Sequence, residues 1–360
     1  MKKILYFIQL PPPTHGVSTI NKHIINSKII NDGFITQTLE IKFSNNISEL
    51  QKITIKKIFK TFYLTAKLIF TIKKFKPDLI YFSIMPVGKG FIRDLLFVLI
   101  IKFFKVKPIY HLHNKGIYKA KKSKILKQIY KLVFNNSVII HLSQGLMDSE
   151  VKFLNLKNAK TYVVNNGVEE FEVKLNKKNN NIIKLLYLSN LFPEKGLNTL
   201  LDSIKILNEK KYNVQLDIIG SARNDKLIKN VLSNKLNNIY FRGELFNSEK
   251  NNYLQVADIF IHPTTNDSFP LVILEAMQFG LPVISTYEGA IPEIIENGIN
   301  GILIEKGNVV QLAESIELLI NSHELRIKMG QNNREKHLEK YTITKFEENI
   351  SKIIQEQFEN

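Results

Sequence analysis

The chain has 360 residues, 44% of them apolar, enough to bury substantial cores, and at roughly 100 to 200 residues per domain it divides most naturally into two domains. It contains no cysteine, which excludes disulfides, thiolate metal sites and a catalytic thiol and fits a reducing cytoplasm. The net charge of +17 is uneven, with 28 Lys and Arg against 7 Asp and Glu in residues 1–168 and 22 against 26 in residues 169–360.

A basic half collects anionic partners such as phospholipid headgroups, diphosphates or nucleic acid, because its summed field raises their local concentration. Compositional drift in an AT-rich genome also enriches Lys, Ile and Asn together, and would leave the same lysines merely solvated. The amino terminus MKKILYFIQLPPPTHG begins basic and apolar. Its apolar run is short and leads into prolines, so it is expected to be a buried first strand rather than a signal peptide. In the apolar region 91–104 the longest uncharged run is Leu95 to Ile101, far below the roughly 20 residues that span a bilayer.

Short apolar runs alternate with longer helical patterns, which predicts an α/β fold with parallel sheets and crossover helices. Strands are expected at Ile4 to Gln9, Asp78 to Phe82, Pro108 to Leu112, Val138 to Leu142 and Thr161 to Val164 in a first domain, residues 1–170. A polar Lys- and Asn-rich stretch, 171–182, reads as the linker. A second series, in a domain of residues 183–340, runs through Lys184 to Leu188, Gln215 to Ile219, Ile239 to Arg242, Ile259 to His262, Pro282 to Ser285 and Gly301 to Leu303. Residues 341–360 include one amphipathic helix, Thr344 to Phe358.

Two segments carry chemistry. The loop Pro11-Pro12-Pro13-Thr14-His15-Gly16 sits between the first strand and a helix expected to begin around Ser18. Unpaired N–H groups at a helix start attract anions, and Gly16 lets a phosphate come close, although the three-glycine dinucleotide fingerprint is absent. In the stretch Asn266 to Met277, Asp267 and Glu275 are eight apart, with a helix start near Pro270 between them. Acids at that spacing can bracket one ligand; equally, they can be a solvated loop residue and a charge favourable to the helix dipole. Glu275 lies in an apolar neighbourhood, where a carboxylate needs partners.

The sequence resembles glycosyltransferase family 4, the retaining GT-B enzymes, over nearly its whole length. Five blocks carry the resemblance in the family's order and spacing: LYLSNLFPEKGLNTLLDSI at 186–204, LDIIGSA at 216–222, IYFRGEL at 239–245, VADIFIHPTTNDSFPLVILEAMQFGLPVIST at 256–286 and GAIPEIIENGINGILIEKGN at 289–308. In the first half PPPTHG, KPDLIYFS, HLHN and VVNNGV match less specifically. The resemblance implies two Rossmann-like domains with parallel sheets facing across a cleft, and a carboxy-terminal helix returning to the first domain. Asp267 and Glu275 fall where the family has two glutamates. Glu275 would bind the ribose hydroxyls and Asp267 would approach the donor sugar. Lys195 matches the lysine that embraces the diphosphate. Asn190 replaces the family's arginine, which removes one positive charge from the leaving group. His113 matches the amino-domain histidine that contacts the donor; it also reads as a satisfied histidine at a strand end. Gly16, Gly220, Ser268, Phe269, Pro270, Leu271 and Val272 complete the implied donor-binding set.

The implied donor is a UDP- or GDP-linked sugar and the acceptor a glycan or lipid-linked glycan of bacterial surface polysaccharide, with no cofactor and no essential metal. No Asp-x-Asp triplet occurs. Residues 52–76 read as a helix with apolar Ile55, Phe59, Phe62, Ile69 and Ile72, and with Lys56, Lys60, Lys67 and Lys74 on another side. It either lies on the inner, anionic face of a membrane or packs on the sheet with a wet lysine face. The lysines of 115–131 would lie nearer the cleft mouth. A nucleotide-sugar epimerase or a sugar phosphorylase shares this architecture. A nucleic-acid-binding protein would explain the charge, but neither the blocks nor the absence of a basic, aromatic-rich readout module.

Overall fold

The computed structural model describes residues 1–43, 54–173, 182–221 and 238–359. The described chain forms two compact units, Met1–Asn166 with Thr344–Asn360, and Gly167–Ile343. Each is built on a six-stranded, wholly parallel sheet.

In the first unit the strands are β1 (Lys2–Ile8), β2 (Phe34–Glu40), β3 (Leu79–Phe82), β4 (Lys107–Leu112), β5 (Val138–His141) and β6 (Lys160–Val163), in the order β2-β1-β3-β4-β5-β6. Strands β1, β3, β4 and β5 are almost continuously buried, as expected of strands covered on both faces. One core sets Leu5, Phe7, Ile80, Phe82, Tyr110 and Ile139 against helices Ile55–Phe75, Gly88–Phe103 and Lys124–Phe134.

The sequence reading omits β2. That strand sits at the sheet edge, and its residues 35–38 are exposed, so Phe34-Ile35-Thr36-Gln37-Thr38 lacks a buried strand's apolar run. The first helix, Gly16–Asn26, begins two residues before Ser18. His15 caps it, with Nδ1 accepting from the Ser18 N–H at 3.4 Å, while Ser18 Oγ accepts from the His15 N–H at 3.0 Å. Ser18 is thus the third residue of the helix and closes its capping box.

The second unit contains β7 (Ile183–Leu188), β8 (Val214–Ile219), β9 (Ile239–Gly243), β10 (Ile259–His262), β11 (Val283–Thr286) and β12 (Gly301–Ile304), ordered β12-β11-β10-β7-β8-β9. Its core joins Leu185, Tyr187, Leu216, Ile218, Ile261 and Ile284 to helices Leu197–Glu209 and Val309–Asn321. Strand order reverses between β7 and β10, and in open parallel sheets ligands bind outside the carboxyl ends of the strands at such a point.

The division at Asn166/Gly167 precedes the expected linker, of which residues 174–181 lie outside the described residues. Beside it Val168 pairs with Thr342, and a Cβ on Gly167 would stand 2.2 Å from the Thr342 carbonyl oxygen. The last helix, Ile343–Glu356, returns to the first unit and buries Phe346, Ile350 and Ile354. Ser351 Oγ donates to the Ile29 carbonyl at 3.0 Å, and Tyr162 Oη donates to Glu356 at 2.8 Å.

Candidate active site

In the second unit, the loops following β7 and β10 meet at the point where strand order reverses. After β7 the chain turns through the short 3-10 segment Pro193–Lys195, and Gly196, at φ +77°, opens the helix Leu197–Glu209. A Cβ on Gly196 would stand 2.0 Å from the Pro263 carbonyl oxygen, so glycine is what lets the two loops close on each other. The Glu194 carbonyl accepts from the Thr265 N–H at 2.7 Å and from Thr264 Oγ1 at 3.1 Å, which locks the loops together.

The lock places Lys195 Nζ 2.5 Å from Asp267 Oδ2, with both side chains mostly buried. His262, the last residue of β10, brings Nε2 within 3.3 Å of the same oxygen, and Asp267 Oδ1 accepts from the Ser268 N–H at 3.0 Å. Burial pushes the Asp267 carboxyl up, but the His262 hydrogen bond and the Lys195 charge outweigh it and hold it at about 2. Burial lowers His262, so its imidazole is neutral at physiological pH. The Asp267 carboxylate is therefore engaged on both oxygens.

Glu288, two residues beyond β11, supports this corner. It is buried, accepts from the Asp267 N–H at 3.2 Å through Oε1, and pairs with Lys306 through Oε2. Gly289, at φ +55°, passes the Asp267 carbonyl so closely that a Cβ would stand 2.4 Å from its oxygen. Sequence reading missed His262, Glu288 and Lys306. The available signal was two ionisable residues, His262 and Glu288, beside apolar strand ends.

Pro270 is the N-cap of the helix Leu271–Gln278 and supplies no side-chain cap, so the first N–H groups, including those of Leu271 and Val272, have no intrahelical acceptor. Phe269 is buried edge-on against Tyr341 at 6.2 Å and anchors this helix start. One turn further, Glu275 Oε1 lies 2.8 Å from Lys250 Nζ, while Oε2 is buried without a hydrogen-bond partner. Lys250, from the helix Asn247–Val256, was also missed. An orphaned carboxylate oxygen costs free energy unless a donor reaches it, and a ligand hydroxyl is such a donor.

Gly220 and Asn190 complete the β7/β8 side. Gly220, at φ +150°, lies so close to Ser189 that a Cβ would be 1.8 Å from its carbonyl oxygen. Asn190 Oδ1 accepts from Ser221 Oγ at 2.9 Å. Lys195, Asp267, Ser268, Asn190 and Gly220 thus gather on the loops at the carboxyl ends of β7, β8 and β10, and Glu275 on the helix that follows.

Gly16 and His113 belong to the first unit, at the helix start after β1 and just beyond β4. His113 is buried, its ring centroid is 3.9 Å from that of His111, and its Nε2 has no hydrogen-bond partner. Burial, helped by the His15 charge, lowers it to about 3. It therefore presents a neutral imidazole rather than a cation.

Residues 168–336 match the family model described as glycosyl transferases group 1. The chain is 35% identical over 182 residues to an uncharacterized glycosyltransferase of Methanocaldococcus jannaschii, covering 50% of this chain and 49% of that protein. It is 32% identical over 209 residues to the capsular polysaccharide biosynthesis glycosyltransferase CapM of Staphylococcus aureus, covering 54% of this chain and 52% of CapM. The chain thus spans about half the length of these curated relatives. Among solved structures it is similar to Anabaena HepE in complex with UDP, at TM-score 0.75 and 20% identity over 99% of this chain and 100% of that one. The two six-stranded parallel sheets and this likeness give the chain the GT-B fold.

Proposed function

We propose that the chain is a retaining glycosyltransferase that moves a sugar from a nucleotide donor to a glycan or lipid-linked glycan in surface polysaccharide assembly. The observation that carries this reading is the buried, unpartnered Oε2 of Glu275, on a helix inside the stretch that matches the group 1 model and preceded by the loop that holds the Lys195–Asp267 pair. Glu275 accepts the ribose hydroxyls through that oxygen. Lys195 and the free N–H groups around Leu271 and Val272 face the diphosphate, where cationic and dipolar groups stabilise a departing anion. Asp267 holds Lys195 in place.

In the reaction the bond from the anomeric carbon to the diphosphate oxygen breaks and an oxocarbenium-like species forms. The acceptor oxygen then attacks from the same face, and its proton passes to the leaving phosphate. Positioning and charge stabilisation do the work, with no protein nucleophile and no essential metal. Surface polysaccharide is favoured by the likeness to CapM, and a nucleoside diphosphate sugar by the likeness to a UDP-bound structure.

The test is a thermal-shift screen of UDP and GDP sugars, followed by transfer assays on the hits with glycan and lipid-linked acceptors, reading the product's anomeric configuration by NMR. Stabilisation by at least one nucleotide sugar and a product of retained configuration are expected. No stabilisation by any donor, or an inverted product, overturns the reading.

A further inference from the structure

Helices Ile55–Phe75, Gly88–Phe103 and Lys124–Phe134 pack side by side in the first unit. All three bury residues in the same core: Leu64, Leu68 and Ile72 from the first, Phe97, Val98 and Ile101 from the second, and Val133 and Phe134 from the third. Because they share one side of the sheet, their opposite faces look outward together. A soluble helix would make that outer face polar.

Here it is not. On the first helix Ile55, Phe59, Phe62 and Phe70 follow the spacing of one helical stripe, and Phe59 and Phe62 are 71% and 63% exposed. Ile55, Phe59, Phe62 and Ile72, which the sequence groups on one apolar side, divide in the structure: Ile72 lies in the core and the other three are exposed. On the second helix Ile92, Leu99 and Phe103 repeat at the same helical period, with Ile92 and Phe103 72% and 77% exposed. The third adds exposed Ile125 and Leu132.

Charge on these helices has one sign. They carry twelve Lys and Arg and a single acid, Asp94, which is buried and paired with Arg93 at 2.6 Å. Lys56, Lys60, Lys67 and Lys74 flank the aromatic stripe by helical spacing. The neighbouring 3-10 turn Ile117–Lys122 adds Lys119, Lys121 and Lys122. Its nearest carboxylate, Glu150, is buried and accepts from the Gly116 N–H at 2.7 Å.

We propose that this three-helix face docks on an anionic lipid surface, with the aromatic and aliphatic stripes entering the interface and the lysines meeting the headgroups. Exposed apolar stripes interleaved with lysine and free of accessible acid complement a surface that is anionic outside and apolar beneath. A second copy of the same face is disfavoured, since two such faces repel. No helix among the described residues is long and apolar enough to cross a membrane, and the contact proposed here is with the membrane surface. Charge alone would give binding that vanishes with salt; the apolar stripe adds a component that salt does not screen.

The chain has no tryptophan, so Phe62→Trp gives a fluorophore without background. Its emission should shift to the blue on mixing with phosphatidylglycerol–phosphatidylcholine vesicles, and not with phosphatidylcholine vesicles alone. Co-sedimentation of the wild-type chain with the anionic vesicles should fall but persist as salt rises. Phe59→Ser with Phe62→Ser, checked for an unchanged circular dichroism spectrum, should lower vesicle partition about tenfold or more. Lys60→Gln with Lys67→Gln should weaken binding chiefly at low salt. An unshifted emission from the Phe62→Trp variant, equal shifts with both vesicle types, or a shift that grows with protein concentration in the absence of vesicles would overturn the proposal. The last result would assign the face to self-association. The assay needs neither donor nor acceptor, so its outcome is separate from that of the transfer assay.

Discussion

Replacing Glu275 by Gln keeps the shape of the side chain and removes its charge. Its Lys250 partner is 2.8 Å away and both side chains are about a fifth exposed, so solvent screening limits the pair to about 1 kcal/mol of stability. The buried, unpartnered Oε2 becomes part of a neutral amide, which is less costly to bury than a carboxylate. The second unit should accordingly stay folded, with its melting temperature within about 4 °C of wild type. Nucleotide binding should respond very differently. A hydrogen bond to a charged acceptor contributes about 1.5–3 kcal/mol, and losing one raises the nucleotide Kd about 10- to 150-fold. Isothermal titration of the nucleoside diphosphate against both proteins measures this directly. A Kd within about twofold of wild type, in a protein with unchanged melting, would refute the argument that the orphaned oxygen is kept for a ligand hydroxyl.

Lys195→Met should weaken the nucleoside diphosphate about tenfold or more and leave the bare nucleoside unaffected; calorimetry with both ligands checks it, and equal losses would place Lys195 away from the phosphates. Gly196→Ala puts a methyl 2.0 Å from the Pro263 carbonyl oxygen at a positive φ, and should destabilise the second unit by about 3 kcal/mol or more, read by urea unfolding. His113 and His141 are held low by burial, at about 3 and about 4. The unfolded chain therefore takes up protons below about pH 6.5 that the folded first unit refuses. Stability should fall as pH drops from 6.5 toward 4, by up to about 1.4 kcal/mol per pH unit for each histidine. Melting scans across that range check the sign, and a melting temperature that rises on acidification would contradict it.

Much of the fold was legible because buried parallel strands announce themselves. LLYL in β7 and IFIH in β10 are apolar on both faces, and their limits are read to within a residue. Edge strand β2 was invisible for the opposite reason, since solvent satisfies its outer face and its sequence resembles a loop. At the candidate site, spacing singled out Asp267 and Glu275 and the resemblance added Lys195, and the structure brings Lys195 and Asp267 together. Lys250, Glu288 and Lys306 were not legible, because they meet the acids and the Asp267 backbone only through tertiary packing. The helix Ile55–Phe75 shows the limit of periodicity: its moment finds an apolar side and a basic side, but only the sheet decides which apolar residues are covered.

A structure with a nucleoside diphosphate bound tests the central claim most directly. The account predicts ribose hydroxyls within hydrogen-bond reach of Glu275 Oε2 and phosphate oxygens beside Lys195 Nζ. A nucleotide seated elsewhere in the second unit, with Glu275 still closed on Lys250 alone, would contradict it.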